Sequence, residues 1–123
     1  MKETEKILCS VWLKNLLDVD FLGKDVIIKQ INSAKVSFIA GHEYISIKFH
    51  IDTDVPLFLY KTRTPVSMLA WQPNGTPIEF ILHVIDGVID ELEVVRMDLL
   101  AIDYLDIDLS KLEHMVCDTV CIL

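Results

Sequence analysis

The chain has 123 residues, with 11 Lys and Arg against 19 Asp and Glu, and a formal net charge of −8 at pH 7. This length fits a single domain, residues 1–123, that can bury a core without the help of disulfides or bound metals. The charge argues against nucleic acids and anionic membranes as partners, because binding to phosphates requires clustered Lys and Arg. It favours a basic protein partner, since opposite charges accelerate association.

The composition also indicates a compartment. Hydrophobic residues make up 52% of the chain, yet no apolar run approaches the roughly 18 residues of a membrane span. The first residues, Met1 to Lys6, are charged and do not resemble a secretory signal. Three cysteines form no paired pattern, which suits a reducing compartment. We therefore expect a cytoplasmic protein with buried thiols.

The first third of the chain predicts two helices. From Glu3 to Leu17 the apolar residues recur at the three-and-four spacing of an amphipathic helix. After a break at Gly23, the segment from Lys24 to Ile31 suits a short second helix. Its Val-Ile-Ile run is also compatible with a strand, and we favour the helix.

From Ala34 onward the sequence pattern is typical of strands. Lys35 to Ala40 and Tyr44 to Asp52 are two runs separated by a plausible hairpin loop. The second run alternates apolar and polar residues, which predicts a strand with one buried face and one solvent-exposed face. Val66 to Trp71 is a further candidate strand, and the Asn-Gly sequence within 72–77 marks a turn.

The segment from Pro77 to Arg96 predicts a β-hairpin around Asp86-Gly87, because Asp-Gly between two β-branched runs favours a two-residue turn. A simple register sets His83 opposite Asp90 and places Glu91 and Glu93 on the face that carries Leu82. Both faces are apolar near the turn, so the hairpin is expected at the centre of a sheet.

The remaining segment is less regular. Met97 to Asp108 suits a strand or an irregular connection, and the residues from Asp108 to Ser110 could cap a helix over Lys111 to Val116. Together these elements predict an α+β fold, in which N-terminal helices pack on a mostly antiparallel sheet with a central Asp-Gly hairpin.

Two residue sets suggest chemistry. His83 with Asp90 or Glu91 could form the acid–base pair of a small enzyme, although a satisfied polar pair in a sheet is commoner. His114, Cys117 and Cys121 have the spacing of half a zinc site on a helix, but no second pair of ligands exists in the sequence. We therefore expect no enzyme activity, no cofactor and no metal site.

The region from Lys35 to Met97 resembles a group of small bacterial proteins whose shared core reads LHV-x-DG-x-x-x-ELE. The matching residues are Leu82-His83-Val84, Asp86-Gly87 and Glu91-Leu92-Glu93, with Thr64-Pro65-Val66, the 74–77 turn and Arg96 around them. This chain departs from the group after the hairpin, where Met97-Asp98 leads into Leu99-Leu100 and not into a second Asp-Gly.

Members of that group resemble the immunity proteins that accompany polymorphic or contact-dependent growth-inhibition toxins. The resemblance implies a protein that binds a cognate toxin, a basic nuclease, and covers its active site. The expected contacts are the carboxylates Glu91, Glu93, Asp103, Asp106 and Asp108. The alternatives are a structural protein that forms a homodimer through the apolar tail Val116 to Leu123, and the small enzyme built on His83.

Overall fold

The computed structural model describes residues 1–119. These residues form two helices, α1 Glu3–Leu16 and α2 Lys24–Ser33. The strands are β1 Lys35–Ala40, β2 Tyr44–His50, β3 Val66–Trp71, β4 Pro77–Ile85, β5 Val88–Arg96 and β6 His114–Asp118. The α+β class is confirmed. The connection from β5 to β6 is irregular and contains a short 3₁₀ helix, Tyr104–Asp106.

The strands form one sheet in the order β1-β2-β5-β4-β3-β6 within the described residues, and every neighbouring pair is antiparallel. The β4–β5 hairpin occupies the two central positions, so its predicted central place is confirmed. β1 and β6 form the two edges.

The predicted helix from Lys111 to Val116 is wrong. Residues 114–118 form β6, in which Met115 pairs with Leu69 and Cys117 pairs with Ser67. The physical reason is non-local: an isolated helix of a few residues is unfavourable to nucleate, whereas an extended segment gains a ladder of backbone hydrogen bonds along the free edge of β3.

Both helices lie on one side of the sheet, which we call the core face. Trp12, on α1, and Ile27, on α2, belong to the same buried cluster as Ile47, Phe80 and Leu92 of the central strands. The amphipathic spacing of the helices therefore serves to cover this face. No helix in residues 1–119 has the length and apolar character needed to cross a membrane.

The register of the central hairpin differs from the simple one. Val84 pairs with Ile89, but His83 pairs with Glu91, so Asp90 is an extra residue that forms a β-bulge. Side chains alternate between faces, and one extra residue reverses the alternation beyond it. The bulge keeps Leu92 buried on the core face with Ile89. The predictions that His83 faces Asp90 and that Glu91 and Glu93 share a face with Leu82 are therefore wrong.

The thiols do not share one environment. Cys9 is buried and Cys117 is exposed, so the expectation of buried thiols is confirmed for Cys9 and wrong for Cys117; Cys121 lies outside the described residues. Burial, followed by the negative charge of Glu5, raises the pKa of the Cys9 thiol to about 11.

This difference predicts selective thiol chemistry. Because the thiolate is the reactive form, a C121S variant is expected to react rapidly with Ellman's reagent through Cys117 at about pH 8, while Cys9 reacts only after unfolding. Absorbance traces in buffer and in denaturant measure both phases, and C9S, C121S is the matched control. Rapid release of two equivalents from the folded C121S protein would contradict this assignment.

Candidate functional site

The face of the sheet opposite the helices carries the polar side chains of the central strands, and we call it the open face. The strand pairing arranges its side chains in rows. Lys48, Glu91 and His83 lie side by side on β2, β5 and β4, and Ser46, Glu93 and Ile81 form the next row. The two carboxylates of β5 thus lie between β2 and β4, in the middle of the sheet face that neither helix covers.

Short polar contacts hold these carboxylates in place. The hydroxyl of Ser46, a buried residue with 3% exposure, donates a hydrogen bond to Glu91 Oε2. Lys48 Nζ lies 3.8 Å from Glu91 and 3.6 Å from Asp90. His83 Nε2 lies 3.1 Å from Glu93 Oε1. The Glu91 and Glu93 side chains retain 22% and 36% of their exposure, so both are ordered and still reachable.

His83 is therefore placed with Glu93 and not with Asp90. Within residues 1–119 its ring forms a hydrogen bond to Glu93 and to no Ser or Cys side chain, and the nearby Ser46 hydroxyl is directed at Glu91. A pair of this kind can hold a charge-assisted hydrogen bond and fix the carboxylate. The enzyme alternative pairs His83 with Asp90 or Glu91, whereas the described hydrogen bond of its ring is formed with Glu93.

The other three predicted contact residues lie elsewhere. Asp103, Asp106 and Asp108 belong to the connection after β5, which packs on the core side through Tyr104 and Ile107. Asp103 accepts a hydrogen bond from the Leu105 N–H at 3.0 Å. The five predicted residues thus form two groups, one on the open face and one on this connection.

Asp108 is fixed within its own turn. Its carboxylate accepts hydrogen bonds from the Ser110 hydroxyl and the Ser110 N–H, at 2.6 and 3.0 Å, and these bonds lower its pKa, with a smaller effect of Lys111. Asp103 and Asp106 instead line a cleft of about 320 Å³. This cleft separates the connection from the β1–β2 turn, which contributes His42.

The segment that carries His114 and Cys117 is a strand, so these two residues do not share the face of a helix. His114 and Cys117 lie on β6 at odd spacing, so their side chains are on opposite faces of the sheet, and Cys121 lies outside the described residues. The part of the chain that the structure describes contains no group of three or more His, Cys, Asp or Glu suited to a metal. The dimer prediction rests on the tail 116–123, of which only Val116 to Thr119 is described.

Sequence reasoning missed how the charge is distributed. Residues 64–110 contain nine carboxylates and a single cation, Arg96, whereas the rest of the chain contains ten of each sign. The whole net charge of −8 therefore belongs to β3, β4, β5 and the connection that follows. A count of charge in successive windows could have revealed this.

Sequence reasoning also missed the structure that follows β5. Arg96 donates to both carboxylate oxygens of Asp98, at 3.1 and 2.8 Å, and to the carbonyl oxygen of Ala101 at 3.2 Å. The pKa of Asp98 is lowered, and the hydrogen bonds from Arg96 contribute most to this shift. Arg96, the one cation of the acidic region, is thereby engaged within its own loop.

Comparison with known proteins found no match: no family model matches the chain, and no curated protein and no solved structure is significantly similar to it.

Proposed function

We propose that this protein is an immunity protein, which binds a cognate toxin, a basic nuclease, stoichiometrically and covers its active site. The observation that carries the proposal is the open face, where Glu91 and Glu93 are held by hydrogen bonds at the centre of the sheet face that neither helix covers, in the acidic part of the chain. The resemblance through the Leu82 to Glu93 hairpin supports it, because that motif contains both carboxylates.

The charge pattern suits this kind of partner. A nuclease must present cations to the phosphates of its substrate, and an acidic surface of opposite pattern competes for those cations. The carboxylates of Glu91 and Glu93 are already held by Ser46 and His83, so little ordering of side chains is required when the partner binds. Lys48 contacts Glu91, and a cation of the partner would be a further positive charge beside these carboxylates.

The proposal places the complex in the cytoplasm, where a reducing environment preserves the exposed thiol of Cys117. The partner is a protein and not a nucleic acid or a membrane surface, because the net charge of −8 repels both. No cofactor takes part in stoichiometric inhibition.

Copurification tests the proposal. The tagged protein is isolated from its own cells at low and moderate salt, and a stoichiometric basic partner is identified by mass spectrometry. The purified partner is then assayed for nuclease activity with and without the protein. Inhibition at a one-to-one ratio is the expected result. A partner without toxic activity, or one whose activity persists in the complex, would overturn the immunity function.

A charge variant tests the open face. In E91Q, E93Q two negative charges are removed and the hydrogen-bonding groups are largely kept, so the affinity for the partner is expected to fall by at least about tenfold. The matched control, E3Q, D20N, removes the same charge from α1 and the segment after it, where the side chains are largely exposed. Isothermal titration calorimetry measures both variants. Equal affinity of the two would assign binding to another surface.

A further inference from the structure

An apolar projection follows the end of β5. We call residues 97–100, Met97, Asp98, Leu99 and Leu100, the knuckle. Met97, Leu99 and Leu100 are 51%, 69% and 58% exposed. Single exposed apolar residues are ordinary on a protein surface, whereas three of them within four residues form a candidate interaction site.

The knuckle is held rigidly by hydrogen bonds that involve none of its apolar side chains. Arg96 binds Asp98 and Ala101 through the three bonds described above, and Asp98 Oδ1 accepts the Leu100 N–H at 3.1 Å. The N–H of Met97 donates to the carbonyl oxygen of Pro77 at 2.9 Å, and the N–H of Leu99 donates to the carbonyl oxygen of Arg96 at 3.0 Å. An apolar group fixed in advance loses little entropy when a partner covers it.

Leu99 adopts an unfavourable backbone conformation without any gain from burial. Its φ of 60° lies in the left-handed region, which Gly and Asn adopt far more readily than a bulky residue. Folding therefore gives no reason for leucine at this position, and a strained residue on the surface is evidence for a role in binding.

The surroundings of the knuckle define the chemistry of its partner. The Ile102 N–H donates to the His42 carbonyl oxygen at 3.0 Å, which brings the exposed carboxylates of Glu43 and Asp103 to the same end of the sheet. Arg96 is paired with Asp98. Two exposed carboxylates thus lie at the same end of the sheet as the apolar group, an arrangement that suits an apolar pocket bordered by cations. Since Met97 lies two residues beyond Val95 of the open face, one partner can contact both surfaces.

We propose that the knuckle is the apolar anchor that this protein inserts into a pocket of its basic partner protein, with Leu99 at the centre. This proposal rests on the proposed function for the partner's identity. The open-face carboxylates then select the charge of the partner, and the knuckle supplies the desolvated contact that slows dissociation.

The test is the double variant L99N, L100S, with the partner isolated by copurification as the probe. Its affinity by isothermal titration calorimetry is expected to fall at least about tenfold. Its resistance to urea is expected to stay equal or rise, because Asn accepts the left-handed conformation. The matched control is L57S, L59N, which replaces residues 51% and 85% exposed near the hairpin turn at the far end of β4 and β5; its affinity is expected to remain unchanged.

The outcomes separate this proposal from the function on which it rests. Full affinity of L99N, L100S, or an equal loss in the control, would overturn the anchor alone. If the partner binds tightly through the knuckle but its activity is not inhibited, the immunity function is overturned and the proposal of the knuckle as anchor stands. A wild-type protein that retains no partner would overturn both. Light scattering that shows a dimer dissociated by L99N, L100S would assign the knuckle to a second copy and overturn the proposed partner.

Discussion

Replacement of Trp12 by alanine is expected to destabilise the fold by about 4 kcal/mol, the range for a large buried aromatic residue. Trp12 is 1% exposed and joins α1 to the sheet. Its ring lies 5.5 Å from that of Phe80 in an edge-to-face arrangement and 6.1 Å from that of Phe38, so truncation removes contacts to a central strand and to an edge strand together. Urea denaturation followed by circular dichroism measures the change.

The adjacent residue provides a control for this prediction. Val11 occupies the neighbouring position on α1 and is 40% exposed, so V11A is expected to change the free energy of unfolding by about 0.5 kcal/mol or less. If W12A were no more destabilised than V11A, the packing of α1 on the core face would be wrong.

The second large effect is expected at Gln30, a polar side chain with no exposure. Its amide nitrogen donates to the carbonyl oxygens of Pro56 and Gly87, at 2.7 and 2.9 Å, and its oxygen accepts the Ile89 N–H at 2.9 Å. It thereby joins α2, the β2–β3 connection and the hairpin. The variant Q30L leaves buried backbone groups without partners and is expected to lose about 3 kcal/mol in urea denaturation.

A second variant separates lost hydrogen bonds from altered packing. In Q30E the carboxylate faces two carbonyl oxygens, so the protonated form is favoured in the folded state and its pKa is raised. Stability is then present at low pH and lost as pH rises through the raised pKa. We expect Q30E to gain stability relative to wild type as pH is lowered. A loss that is independent of pH, with a small loss in Q30L, would show that Gln30 acts by its volume alone.

Local signals in the sequence were sufficient for most of the fold. The Asp-Gly turn predicted the hairpin correctly because both residues have positive φ, 51° at Asp86 and 80° at Gly87, as a type I′ turn requires. The helix periodicity predicted α1 and α2. The strand β6 could not be predicted this way, since its extended state depends on pairing with β3, which is remote in the sequence.

The candidate site could be predicted only in part. Glu91 and Glu93 were expected on one face of β5, and they share the open face. Their neighbours were wrong because the simple register ignored the bulge; the spacing of three between Ile89 and Leu92 was the available signal, since two apolar residues on one face of a regular strand are an even number apart. The exposure of Leu99 and its left-handed backbone conformation could not be predicted, because no local sequence pattern indicates them.

The bulge at Asp90 decides which side chains of β5 reach each face of the sheet. If the same residues formed a regular strand from Ile89 onward, Glu91 and Glu93 would point into the core, and Leu92 and Val94 would point to the open face. Loss of one residue between Ile89 and Leu92 would leave these two residues two positions apart, so a regular strand would keep both in the core and only the bulge would disappear. In evolution, this strand can therefore lose one residue at the bulge, whereas the loss or gain of one residue between Leu92 and Arg96 would exchange the two faces beyond that point. Homologues are therefore expected to differ in length at the bulge or in the loops, and not between Leu92 and Arg96.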